Sequence, residues 1–169
     1  MGLESFHIVA VPDEVDITRD KEYWSLCGNS NVHLKNIENE LGNIGALKGE
    51  EGYWIIENCI EMRLYECNEF FQGIEIRGCI SCIREGSEIC YNTIKMICDK
   101  VVVLKVFINN KEVELINFKS FYDVLLENYK TKIDLFNKQY DNVQLKVTSS
   151  DFYKEIRKRK KWYYKFFRK

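Results

Sequence analysis

Residues 53–83 read YWIIENCIEMRLYECNEFFQGIEIRGCISCI. Ile60, Met62 and Leu64 alternate with Cys59, Glu61 and Arg63. Further on, Ile74, Ile76, Ile80 and Cys82 alternate with Glu75, Arg77, Cys79 and Ser81. A period of two sends one set to a buried face and the other towards water. The pattern predicts two long strands, 53–65 and 70–83, joined at Asn68-Glu69 as an antiparallel hairpin. Glu57, Glu61 and Arg63 then face Glu75 and Arg77 as cross-strand pairs. Such a half-polar sheet takes helices on one side and solvent or a partner on the other.

Gly86-Ser87 follows this hairpin, and the Ser predicts a capped helix over 87–98 with Ile89, Thr93, Met96 and Ile97 turned inward. Residues 101–108 are apolar on both faces except at Lys105. A run of that kind belongs in mid-sheet, or between two covering layers.

Before the hairpin, residues 5–11 (SFHIVAV) predict a short strand ended by Pro12. Residues 13–31 match no clear template, although Tyr23, Trp24 and Leu26 call for burial. Leu34, Ile37 and Leu41 follow helical spacing, with Gly42 placed as a left-handed stop. Gly42, Gly45, Gly49 and Gly52 then punctuate a connection. A phosphate loop would need Lys followed by Ser or Thr, and Gly49 follows Lys48.

After the hairpin and its helix, Asn109-Asn110 is a turn signal, because Asn tolerates positive φ. Val113 and Leu115 suggest a short edge strand, and Asn117 opens a long helix. On that helix Phe118, Tyr122, Leu125, Tyr129, Ile133, Phe136 and Tyr140 form one stripe. Burying each such side chain contributes about 1.5–3 kcal/mol, enough to fix a helix on a sheet. Val143, Leu145 and Val147 predict one more strand, and Ser149-Ser150-Asp151 caps a final helix.

The chain has 169 residues, which makes one domain over 1–169 the default. With 46% hydrophobic and 30% charged residues it reads as globular, not disordered. Neither a membrane-length apolar run nor a basic-then-apolar leader is present. Seven cysteines without such a leader predict a reducing, cytoplasmic setting and free thiols.

Net charge is −1, and this conceals an asymmetry. Residues 152–169 carry nine Lys or Arg against one Glu, so the rest of the chain is strongly acidic. On a helical wheel Phe152, Ile156, Tyr163, Phe166 and Phe167 share a face. Lys154, Arg157, Lys158, Lys161, Lys165 and Arg168 lie opposite, with Trp162 at the flank. A basic amphipathic helix suits nucleic-acid phosphates, an anionic membrane or a protein groove. Equally, it packs its apolar side on its own body and leaves its charges solvated.

No catalytic, cofactor or metal motif emerges. Cys79-Ile-Ser-Cys82 has CxxC spacing, but on a strand the odd separation sends the sulfurs to opposite faces. A redox pair belongs at a helix start instead. Cys90 and Cys98 lack a nearby His for a zinc site. His7 falls on a strand and His33 at a helix start, and neither has a local triad pattern. An RNA-recognition strand would place stacking aromatics after Arg77-Gly78, where Cys79, Ile80 and Cys82 stand.

These elements predict an α+β domain with a mostly antiparallel sheet and helices mainly on one face. The first six match the order of a ferredoxin-like β-α-β-β-α-β core, and a C-terminal β-α-β-α extends it. The function expected is a small cytoplasmic, non-enzymatic binding protein with a protein partner or a second copy of itself. The alternatives are nucleic-acid association through Lys154, Arg157, Lys158, Lys161, Trp162, Lys165 and Arg168, and an enzyme whose site gathers distant residues around His7 or His33.

Overall fold

A computed structural model describes residues 5–20, 23–28, 30–49, 53–57 and 59–140. The strand expected at 143–147 and the basic helix over 152–169 lie outside them. The fold is α+β, as the sequence predicts. Among the described residues nine strands run β1 Ser5–Pro12, β2 Asp16–Asp20, β3 Tyr23–Cys27, β4 Leu47–Lys48, β5 Tyr53–Ile56, β6 Ile60–Cys67, β7 Phe70–Cys79, β8 Leu104–Ile108 and β9 Lys111–Val113. Helix α1 is Leu34–Asn43, α2 is Ile83–Lys100 and α3 is Phe118–Tyr140. Seven strands pair antiparallel in the order β4-β5-β6-β7-β1-β8-β9, while β2 and β3 form a separate hairpin.

Residues 53–65 are not one strand. Glu57 adopts φ 48 between β5 and β6, and the chain folds back so that Tyr53 pairs with Arg63. The β6–β7 hairpin forms where expected. Asn68 and Glu69 have φ 52 and 69, the double positive φ of a turn that matches strand twist. Its register sets Glu61 against Arg77 and Arg63 against Glu75, the cross-strand partners that the alternation predicts.

Each face of the sheet is covered differently. Ile60, Met62, Ile74, Ile76 and Ile80 are buried under the helices, together with Phe6, Ile8 and Ala10 from β1. Helix α2 lies over β6, β7 and β8, and α3 packs beside it over β8. Phe6 is central: a Cβ at Gly78 would collide with its ring, and Gly86 of α2 presses on the same ring. On the other face, Val9 and Val11 are covered by Ile17, Trp24 and Leu26 of the β2–β3 hairpin, which also shelters Phe107.

Several boundaries shift. Gly86 and Ser87 do not cap α2, which starts at Ile83; Ser87 is inside it and donates to the Arg84 carbonyl at 2.8 Å. The left-handed residue after α1 is Gly45, at φ 80, not Gly42. On α3 the stripe is rotated: Phe121 is fully buried, and Tyr122 stacks on Phe118 at its margin. Asn117 does open α3, its Oδ1 accepting from the Ser120 amide at 2.9 Å.

Candidate functional site

Beside the β2–β3 hairpin the outer sheet face carries a polar patch, and Glu75 lies within it. Its neighbours in β7, Ile74 and Ile76, face the core, so alternation turns the carboxylate outward. Even so Glu75 is only 5% exposed. Three side chains roof it. Arg77 donates from Nε and Nη2 to Oε1 at 3.0 and 2.9 Å. The Tyr65 hydroxyl donates to Oε2 at 2.9 Å, and His7 Nδ1 stands 3.4 Å from Oε1.

Electrostatics follows from this enclosure. Burial pushes the Glu75 carboxyl up, but His7, the Arg77 charge and the Tyr65 and Arg77 hydrogen bonds outweigh it. The group is held at about 2, ionised at any ordinary pH. Burial and then the Glu75 charge push Tyr65 up to about 12, so its hydroxyl stays a donor. Desolvation acts against the Arg77 cation, and Glu75 more than offsets it. A paired charge is what a buried carboxylate requires.

Around this core the strand rows bring Arg63 over the Tyr65 ring, 5.2 Å from its centroid. On the far side Ser5 Oγ lies 3.1 Å from His7 Nε2. Ser5, His7 and Glu75 are therefore in line, hydroxyl to imidazole to carboxylate. The His7 backbone is fixed independently. Its N–H donates to the Tyr129 hydroxyl at 2.8 Å, and that hydroxyl donates to the His7 carbonyl at 3.0 Å.

His33 is elsewhere. It precedes α1, exposed, with its ring stacked on Phe70 at 4.6 Å. A concavity between β9 and α3 is lined by Lys111, Val113, Ile116, Val124 and Glu127, and neither histidine borders it. Among the described residues no three His, Cys, Asp or Glu side chains are grouped to hold a metal ion. No described helix is long and apolar enough to cross a membrane. Lys154, Arg157, Lys158, Lys161, Trp162, Lys165 and Arg168 fall outside the described residues.

Sequence reading singled out His7 but missed Ser5, Tyr65 and Glu75. The available signal was one charge, Glu75, between two core isoleucines, and one imidazole inside an otherwise apolar strand. Fold and site together define an α+β protein with a seven-stranded antiparallel sheet and a carboxylate-centred polar patch on its outer face. Comparison with protein-family models, curated proteins and solved structures gives no match for this chain.

Proposed function

We propose that this chain is a non-enzymatic binding protein of the cytoplasm whose partner is another protein, received on the outer sheet face around Arg63, Tyr65 and Arg77. One observation carries the reading. Arg77 is gripped by Glu75 through two nitrogens while 41% of its side chain remains exposed. Arg and Tyr dominate binding energy at protein interfaces. A side chain already held in place loses less entropy when a partner arrives. With Glu75 buried beneath, the guanidiniums of Arg63 and Arg77 reach solvent, which suits a partner that presents carboxylates. The cytoplasmic setting is supported by seven cysteines that are all free thiols.

The test is affinity capture from native lysate with the wild-type chain and with Arg63→Glu, at low and high salt. The expected result is a protein captured by wild type, weakened by salt and lost in the variant. Capture that survives the charge reversal overturns the reading. A third arm lacking residues 152–169 addresses the nucleic-acid alternative: nucleic acid retained by wild type and by Arg63→Glu, but lost with that segment, favours it.

The Ser5–His7–Glu75 line supports a second reading, acyl transfer with Ser5 as nucleophile and His7 as base. Reach between nucleophile, base and orienting group is the geometric requirement. A fluorophosphonate probe that labels wild type but not Ser5→Ala would favour it, and absence of labelling would remove it.

A further inference from the structure

A continued strand would separate the sulfurs of Cys79 and Cys82. The chain does not continue as a strand. It leaves β7 at Cys79, forms a 3-10 turn over Ile80–Cys82 and passes directly into α2 at Ile83. Cys79 is therefore the residue before a helical run, and Cys82 is the third residue within it. Residues three apart in a helical turn share one side of it. Ser81 reports the closeness: its Oγ is 2.9 Å from Cys79 Sγ and 3.6 Å from Cys82 Sγ, so one hydroxyl spans both sulfurs.

Access divides the pair. Cys79 is 1% exposed, whereas Cys82 is half-buried and Ser81 is exposed. An attacking thiol must reach solvent, and a resolving thiol need only reach its partner. Cys59 also stands near Cys90, but among the described residues no hydroxyl contact is seen bridging those two sulfurs. Cys90 is fully buried, with its thiol pushed far up by desolvation, and Cys27 is exposed.

We propose that Cys79 and Cys82 are a reversible dithiol–disulfide site whose co-reactant is a low-molecular-weight disulfide. The Cys82 thiolate attacks one sulfur of the small disulfide. A Cys82–sulfur bond forms, the small disulfide's S–S bond breaks, and the first small thiolate leaves. The Cys79 thiolate then attacks Cys82 Sγ, forming the Cys79–Cys82 bond and releasing the second small thiolate. Two electrons pass from the protein dithiol to the small disulfide, and the two cysteine protons end on the two released thiols. A dithiol reductant reverses the sequence.

The experiment incubates the full chain in buffers of graded oxidised-to-reduced glutathione ratio, alkylates the remaining thiols and locates them by peptide mass spectrometry. The expected result is joint loss of alkylation at Cys79 and Cys82, with the peptide linking them lighter by two hydrogens, restored by dithiothreitol. Cys79→Ala should accumulate a glutathione adduct on Cys82, because nothing resolves it; circular dichroism checks that this variant folds. If Cys79 and Cys82 remain alkylated in wild type at every ratio, the proposal fails. It also fails if the wild-type adduct on Cys82 persists unresolved, a result that does not depend on any variant folding.

Discussion

The hydroxyl of Tyr129 satisfies both backbone groups of His7, accepting from its N–H at 2.8 Å and donating to its C=O at 3.0 Å. The β1–β8 register begins at Ile8, so the His7 peptide lies beyond the reach of β8. One phenol on α3 thus does what a further strand residue would have done. It also anchors α3 to the strand whose side chain borders Glu75. Tyr129→Phe keeps the packing against Phe6 and takes this partner from two part-buried peptide groups. The expected cost is about 1–3 kcal/mol, because part-buried groups regain some hydration. Urea unfolding should show a lower midpoint at unchanged slope.

Glu75 predicts the acid limb of stability. Its folded-state pKa is about 2 against an ordinary 4.5. A depressed carboxylate stabilises the fold fully above its unfolded pKa and loses that contribution as protons bind at lower pH. The loss should therefore run from about pH 4.5 down to about pH 2, amounting to about 3 kcal/mol. Glu75→Gln should flatten this limb, and at pH 7 it should cost about 2–4 kcal/mol because Arg77 loses its anion. Unfolding midpoints measured across pH 2–7 for both proteins decide it.

Gly78 is defined by the Phe6 ring. Gly78→Ala places a Cβ inside that ring's space, and over-packing of this kind costs about 1–3 kcal/mol or more. Phe6→Leu alone should also destabilise. The double variant should lose less than the sum of the two, because the smaller side chain makes room for the methyl. Additive losses in thermal or urea unfolding would show that the two residues do not share one space.

The β8–β9 turn sets Asn109 and Asn110 at φ 49 and 69. Asn110→Gly should be neutral or slightly stabilising. Asn110→Val should cost about 1–2 kcal/mol, because a branched side chain resists the left-handed region. The two variants should differ in melting temperature while agreeing in far-ultraviolet circular dichroism.

What could be read from the chain was local. The Asn109-Asn110 turn is written in residues that tolerate positive φ, the Asn68-Glu69 turn in its place between two alternating runs, and both occur. The Glu61–Arg77 and Arg63–Glu75 register follows once that first turn is placed. The turn at Glu57 was hidden, because a glutamate at φ 48 carries no such signature. The β2–β3 hairpin was hidden too: its apolar residues meet Val9 and Val11, a contact no local pattern encodes. The Glu75 site was obscured for a similar reason. An outward-facing charge reads as solvated until Tyr65, Arg77 and His7 are brought over it from three strands.

Strand β1 sits between β7 and β8, although it stands first in the chain. Its pairs are Ile8 with Ile76 and Ile8 with Ile108, so its two neighbours are translated roughly 70 and 100 residues later. At about 5–20 residues per second, this greasy strand leaves the ribosome and waits on the order of 5–20 seconds for its second neighbour. The sheet cannot close while the nascent polypeptide is short. Closure around β1 must wait until residues 104–108 have emerged, whatever has paired before.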